Sequence, residues 1–423
     1  MKATEKLQGW QPCTFGDVLK ERVEGGSQDD ELLSVTNSRG IISQSESNKR
    51  DTSNTNKSKY KRVYVDDIVY NTMRMWQGVS GRSSYNGIVS PAYTVCTPVV
   101  GNDSKCLAAL LKHPLNVSLF RRYSQGLVDD TLSLKYDVFA RLPLLLPAKE
   151  EQPRIAKVLD ELEAAIRLSE ELITKLKQIR AGLLQDLLTR GIGNYEECRN
   201  PEINPEQFKD SQLGRIPKDW DVKSMTYLTT KIVDGVHARP NYVASGVPFL
   251  TVENITSGAG ISMKNVRFIK QEDHMAFYKR ADPRPNDVLV TKDGTLGVAR
   301  VVPSGLPEFS IFVSLALLRP NSKIALPQFI STFFQTESFR KQLGTLSTGT
   351  GLKHIHLEHF RKFNLATPPK DEQKKIIDIL DKQDLRINAE GERLHKLQQI
   401  KQALSNDLLT GNVKIITDAH IEV

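Results

Sequence analysis

The densest cluster of groups that could do chemistry is His354-Ile-His-Leu-Glu-His359, three imidazoles within six residues. Closely spaced imidazoles gather on zinc, and zinc held in this way activates water for hydrolysis. A metal-dependent hydrolase using His354, His356 and His359 is therefore the alternative function, and it predicts lost activity on His356→Ala. Against it, Glu358 stands where such ligand runs carry aspartate, and the matching earlier stretch, Ser133-Leu-Lys-Tyr-Asp-Val138, holds no histidine. Asp293-Gly-Thr-Leu296 has the outline of a phosphatase strand end, but the nucleophilic carboxylate would fall at 291, which is Thr291. Gly349 and Gly351 are not followed by the Lys-Ser/Thr pair of a phosphate-binding loop, and no GxGxxG cofactor loop follows a strand. No catalytic residue, metal set or cofactor is expected, so any chemistry must come from a partner.

The elements that must position such groups are set out by a repeat. Shifting Glu151–Thr189 by 221 positions gives Glu372–Thr410, and 16 of the 39 paired residues are identical. Unrelated chains of ordinary composition would match at roughly one in fifteen, so this is an internal duplication. In the first copy Ile155, Leu159, Leu162, Ile166, Ile173, Leu176, Leu183 and Leu187 recur at steps of four and three, interrupted by Ser169 and Arg180. The second copy has Ile376, Leu380, Ile387, Leu394, Leu397, Leu404 and Leu408, with polar breaks at Gln383, Glu390 and Lys401. That period is a coiled-coil seam. Acidic residues open both copies and Gly191 and Gly411 follow them, as the helix dipole and a C-terminal cap require. Pro153 is tolerable only in a first turn. Each helix should be roughly 60 Å long at 1.5 Å per residue. The shared polar breaks, Ser169 with Glu390 and Arg180 with Lys401, are expected to fix an antiparallel register.

The expected organisation is a globular α/β unit at 1–148, a long helix at 149–190, a linker at 191–213, a second α/β unit at 214–369, a second long helix at 370–411 and a tail at 412–423. The two units echo each other. Leu33-Ser-Val-Thr-Asn37 is answered by Leu250-Thr-Val-Glu-Asn254, Asp67-Ile-Val-Tyr70 by Asp287-Val-Leu-Val290, and Trp10 by Trp220. Strands are expected within Leu32–Thr36, Arg62–Tyr70 and Gly87–Val95. A basic polar loop from Ser43 to Lys61, with Lys49, Arg50, Lys57, Lys59 and Lys61 against Glu46 and Asp51, suits either solvent or phosphate. The formal charge of +8 and pI of about 9.1 permit an acidic partner. Cys13, Cys96, Cys106 and Cys198 form no CxxC pair, which argues against zinc and against a disulfide framework. No apolar run reaches the roughly 18 residues of a membrane span, and MKATEKLQGW has no apolar signal core, so no membrane partner is expected and the cytoplasm is the expected location.

On these features the chain resembles the DNA-specificity subunit of type I restriction-modification systems, and the resemblance spans nearly all of it. It is carried by Gly214-Arg-Ile-Pro-Lys-Asp-Trp220, Asp234-Gly-Val-His237, Val247-Pro-Phe-Leu-Thr-Val-Glu-Asn254, Asp293-Gly-Thr-Leu-Gly297 and Pro368-Pro-Lys-Asp-Glu-Gln373. The first unit has neither DG-x-H near its start nor DGTLG, so roles are not carried over to it. The resemblance implies two target recognition domains. It also implies that the helices pack antiparallel and dock two methyltransferase subunits, with restriction/translocase subunits joining that core. Two equivalent domain-plus-helix units could then close about a pseudo-two-fold axis as a covalent imitation of a dimer.

The leading expectation is thus a non-catalytic subunit that reads double-stranded DNA at a bipartite, asymmetric site. Lys and Arg would contact phosphates, and each good bidentate base contact contributes about 1–3 kcal/mol of discrimination. Candidate contacts in the first unit are Arg74, Gln77, Arg82, Ser84 and Tyr85, with Lys57, Lys59 and Lys61 on phosphate. In the second they are His237, Arg239, Asn241, Tyr242, Lys292, Asp293, Thr295, Lys353 and His354.

Overall fold

The computed structural model describes residues 9–27, 29–37, 39–47, 56–193, 198–238, 240–346 and 354–415. Two compact units emerge, one of Met1–Glu171 with Glu390–Val423 and one of Leu172–Ala389. Each contains one globular head and part of each long helix, which run over Gln152–Thr189 and Lys370–Leu409.

Both heads mix helices with sheets, and both are built on one four-stranded plan. In the first head the order is Leu19–Glu21, Tyr93–Pro98, Ile68–Asn71, Ser80–Arg82, antiparallel throughout. In the second it is Thr229–Asp234, Leu315–Pro320, Val288–Thr291, Ala299–Val301, again antiparallel. The central strands, Ile68-Val-Tyr70 and Val288-Leu-Val290, are fully buried, which is why they read as unbroken apolar runs rather than alternating ones. Phe15, Phe120 and Phe139 pack on one face of the first sheet. Phe333, Phe334, Phe339, Phe360 and Phe363 do so in the second.

Asp67 and Asp287 each stand one residue before a central strand and are 2% exposed. Their charges are satisfied from neighbouring strands. Asp67 takes Arg22 at 2.8 and 3.0 Å and the Thr97 hydroxyl at 3.0 Å, while Asp287 takes Arg319 twice at 2.9 Å. The other echo does not extend to local structure. Leu33–Thr36 is a strand, but Thr251 N–H donates to the Asn254 side chain at 2.9 Å and Val252–Thr256 winds into a helical turn. Arg62–Tyr70 is likewise two strands rather than one, because Asp66 at φ 75° turns the chain between Lys61–Val63 and Ile68–Asn71. Part of the stretch read as a linker is a hairpin, Phe208–Ser211 with Gly214–Pro217.

The first and last strands of each head pair with each other: Gln11–Thr14 with Pro143–Leu146, and Asp221–Ser224 with Asn364–Thr367. The chain therefore leaves each head beside its entrance and runs straight into a long helix. There the duplicated residues form a latch. Trp10 Nε1 donates to Glu151 and Trp220 Nε1 to Glu372, both at 2.9 Å. Gln152 and Gln373, both fully buried, accept a backbone N–H (from Asp103 and Leu326, each 2.9 Å) and donate to the Pro147 and Pro368 carbonyls at 3.0 and 2.9 Å.

Along the helices Ile155, Leu159, Leu176, Leu187, Ile376, Leu380 and Leu408 are buried. Leu162, Ile166, Ile173, Leu183, Ile387, Leu394, Leu397 and Leu404 are half-buried, whereas Leu168, Leu172 and Leu385, off the seam, are exposed. In the first unit Ser169 donates to Glu390 at 2.6 Å and Lys401 to Glu163 at 2.6 Å, so one helix descends as the other rises. In the second unit Arg180 is held by Asp384 and Ile192 N–H by Glu372, again antiparallel. Ser169 and Glu390 thus meet directly, while Arg180 and Lys401 each take a separate acid. Those acids, Glu163 and Asp384, are themselves repeat equivalents.

Candidate nucleic-acid interface

In the second head the apolar strand Val288–Thr291 delivers Lys292 to the sheet edge. Lys292 N–H donates to the Ser314 carbonyl at 2.9 Å, and its own carbonyl accepts from Ile355 N–H at 2.8 Å. This second contact brings the histidine stretch alongside. Lys292 is 2% exposed; its Nζ lies 3.5 Å from Asp234, 3.8 Å from Asp293 and 3.4 Å from His354 Nε2. Asp293 and His354 Nδ1 form a close pair.

Asp234, 4% exposed, ends the first strand of the same sheet and is the hub. It accepts from Arg280 at 2.5 Å and lies 3.3 Å from His237 Nε2. Burial works against its charge, but the Arg280 hydrogen bond and the charges of Arg280, Lys292 and His237 outweigh it and hold the carboxyl below the usual carboxylate range. His237 and Arg280 keep 64% and 50% of their side chains in solvent. The edge thus presents a half-open guanidinium and two imidazoles, fixed from behind by a buried aspartate and lysine. Such groups can donate to phosphate oxygens or to base-edge acceptors.

The structure brings together His237, Lys292, Asp293 and His354 of the expected residues. Lys292 is a correction in role: its ammonium is enclosed, so it braces the others and offers no surface contact. Thr295 is exposed, and its carbonyl accepts from the Thr291 hydroxyl, which itself accepts Val298 N–H at 2.9 Å. Asp293-Gly-Thr-Leu-Gly297 is therefore a hydrogen-bonded turn. It needs glycine at 297, where φ is +79° and a Cβ would lie 2.5 Å from the Phe339 ring. Asn241 is exposed, and Tyr242, 38% exposed, stacks under Arg267 at 4.8 Å. Arg239 and Lys353 lie outside the described residues.

Two members of the constellation carry no role in the sequence reading. Asp234 was visible as the acid of Asp234-Gly-Val-His237. Arg280 gave no local signal, because it meets Asp234 only across the fold.

The imidazoles of His354, His356 and His359 do gather, with ring centroids 4.5 and 5.3 Å apart, but His354 and His359 have ring nitrogens engaged elsewhere. His354 uses Nδ1 on Asp293, and His359 Nδ1 accepts His356 N–H at 3.3 Å. Burial, then the charge of His356, lowers the His359 pKa. Among the described residues no group of three His, Cys, Asp or Glu is arranged to hold a metal ion. The hydrolase alternative has no supporting geometry.

The first head presents a different edge on the same backbone. Thr72 occupies the place of Lys292: its carbonyl accepts Leu134 N–H at 2.9 Å, as Lys292 accepts Ile355, and its hydroxyl meets Thr94 at 3.2 Å. Arg82 is tied to Asp66 at 2.6 Å and to Ser104 at 3.0 Å; the Ser104 and Arg82 hydrogen bonds lower the Asp66 pKa. Arg74 lies 3.5 Å from Asp130 and Lys61 3.5 Å from Glu21. Gln77, Ser84 and Lys59 are exposed, Lys57 is half-buried, and Tyr85 packs against the small core of Val63 and Val89. Lys49 and Arg50 lie outside the described residues.

A two-headed chain on duplicated long helices is a recognisable class. The family described as "Type I restriction modification DNA specificity domain" matches residues 221–402, the second head and most of the second helix. The specificity subunit of the type I restriction enzyme MjaVIII of Methanocaldococcus jannaschii is 25% identical over 289 residues, covering 66% of this chain and 64% of the relative. That of EcoBI of Escherichia coli is 24% identical over 238 residues, 55% of this chain and 50% of the relative. The chain thus spans about half to two thirds of these curated relatives. In fold it is similar to a chain from work on assembly and conformational transition of the type I R-M system (TM-score 0.58, 15% identity, 96% of this chain and 98% of that one). It is similar also to the S subunit of a type I restriction-modification system from M. genitalium (TM-score 0.55, 12% identity, 99% of both chains). In sequence this chain is thus similar to type I specificity subunits, and it shares the fold of these two solved chains. No helix among the described residues is long and apolar enough to cross a membrane.

Proposed function

We propose that this chain is the non-catalytic, DNA-reading subunit of a type I restriction-modification complex acting in the cytoplasm. Each head reads one part of a bipartite, asymmetric duplex site, and the stretch between them goes unread. The long helices dock two methyltransferase subunits, which supply the chemistry, and restriction/translocase subunits join that assembly. The observation that carries the reading is the pairing of one scaffold with two edges. The four-stranded sheet, the buried aspartate and the Trp-Glu latch recur, while Thr72 in one head is replaced in the other by Lys292 with its cluster. Equal scaffolds with unequal edges suit an asymmetric target. The test is methylation of a random duplex pool by this chain with its methyltransferase partner, read base by base. One bipartite motif supports the proposal; a continuous palindrome, or no motif, overturns it.

A further inference from the structure

The hydrogen-bond registers of the two four-stranded sheets align the heads residue by residue, and so identify what the first head carries where the second has its ionic cluster. Ile68 faces Cys96 as Val288 faces Leu318, and Thr72 and Lys292 donate their N–H groups to the Ala92 and Ser314 carbonyls. Met73 therefore takes the place of Asp293. On the edge strand Glu21 faces Cys96 as Ile232 faces Leu318, and Arg22 N–H donates to the Val95 carbonyl. One residue further, Val23 falls opposite Thr94, the place that Asp234 holds opposite Ala316. Ser133 precedes Leu134 as His354 precedes Ile355, and Leu134 and Ile355 make the same bond to the edge.

Position for position, Asp234, Lys292, Asp293 and His354 are answered by Val23, Thr72, Met73 and Ser133. Four ionisable groups give way to two apolar side chains and two hydroxyls. Val23 and Met73 are 81% and 39% exposed. Single exposed apolar residues are ordinary on a surface, but these two stand where the same scaffold elsewhere sets its two carboxylates. The neighbouring arginines have partners within the head: Arg22 holds Asp67 at 2.8 and 3.0 Å, and Arg74 lies 3.5 Å from Asp130.

Resting on the reading as a specificity subunit, we infer that the first head reads a thymine through its 5-methyl group. Val23 and Met73 form the apolar seat, and the Thr72 hydroxyl beside them serves the polar part of the same base pair. In the major groove the thymine methyl is the apolar feature of the base edges; the other bases offer donors and acceptors, which valine and methionine would leave unpaired. Phosphate calls for cations, and these four positions hold none.

The full chain is combined with its methyltransferase subunit, and methylation is timed on its bipartite site with each thymine replaced in turn by deoxyuridine, which lacks only the methyl. One thymine of one half-site should be sensitive, with kcat/KM lowered about fourfold, which corresponds to about 0.8 kcal/mol for a buried group of this size. The Val23→Ser/Met73→Ser variant should no longer distinguish the two bases at that position, with discrimination in the other half-site unchanged. As a guard against misfolding, 5-iododeoxyuridine, whose iodine replaces the methyl, is photo-crosslinked at that position in the wild-type complex. The adduct should fall on the peptide of Val23 or of Met73. A site with no sensitive thymine, discrimination undiminished in the folded variant, or an adduct anywhere else overturns the inference and leaves the specificity-subunit reading standing. Absence of any bipartite motif overturns the proposed function, and the inference with it.

Discussion

Replacing Asp234 by asparagine removes one charge and keeps the shape, so its effect isolates the electrostatics behind the second head's edge. Asp234 and Lys292 are 4% and 2% exposed, and the substitution leaves the lysine with only Asp293, at 3.8 Å, as a carboxylate partner besides its contact with His354. Breaking a buried pair from one side destabilises by about 3–5 kcal/mol, chiefly through the charge left behind. Since Asp293 remains, the lower end applies, and about 3 kcal/mol corresponds to a local opening constant raised roughly 150-fold. Hydrogen exchange on the full chain should show it in the amides of Leu289–Thr291, with those of Ile68–Asn71 in the other head unchanged. Adding Lys292→Met should restore most of the protection, because the stranded charge goes too. The sign with pH follows from the lowered Asp234 pKa. Its stabilisation is complete above the unfolded value, about 4, and fades as pH falls through the depressed folded one, so the variant and wild type should converge in acid. Exchange raised less than about tenfold, or a double variant worse than Asp234→Asn alone, would refute the reasoning.

The latch offers an internal control: Glu372 accepts from Trp220, from Ile192 N–H and from Arg199, whereas one Glu151 oxygen has no hydrogen-bond partner among the described residues. Glu372→Gln should therefore destabilise by about 1.5–3 kcal/mol in denaturant unfolding, and Glu151→Gln by much less. Gly191→Ala should lower stability by about 2–3 kcal/mol, since φ is +67° and the new Cβ would sit 2.4 Å from Glu372 and 2.6 Å from Trp220. Arg280→Ala should relax the methylation motif at one or two positions of a single half-site, with about 10- to 100-fold lost discrimination, and leave the other half unchanged. Arg180→Leu with Lys401→Leu should change stability by under about 1 kcal/mol, because each ion pair is partly open to solvent; altered helix register, read by site-directed crosslinking, would show that these pairs set it.

How much was legible in sequence depended on dimension. The helices, their acidic starts, Gly191 and the seam follow one-dimensional periodicity and caps, and the duplication doubled that signal. The hairpin at 208–217 escaped because Phe208-Lys-Asp-Ser-Gln-Leu-Gly-Arg-Ile-Pro217 has no apolar alternation and reads as loop. At the candidate interface Asp234, His237, Asp293 and His354 were marked by motifs, but burial was not. Lys292 looks like any lysine after a strand, and only the tertiary fold encloses it between Asp234 and His354. Arg82 and Arg74 looked free for the same reason; their acids, Asp66 and Asp130, lie 16 and 56 residues away in the chain.

The paired positions Thr72 and Lys292 indicate how one scaffold could serve two targets. Their backbones do the same work, accepting from Leu134 and Ile355 and donating to the Ala92 and Ser314 carbonyls. Neither side chain is needed to hold the sheet, which is fixed by the central apolar strand and by Asp67 or Asp287 behind it. Even those aspartates are satisfied differently, by Arg22 and Thr97 in one head and by Arg319 in the other. The fold therefore constrains the acid and leaves its partners free, and constrains the edge backbone while leaving its side chains free. The edge can then change its chemistry, from neutral hydroxyls at Thr72 and Thr94 to an ionic cluster around Asp234, without disturbing the core. A scaffold of this kind can change the groups at one edge while the helices and the Trp-Glu latch at their starts stay the same.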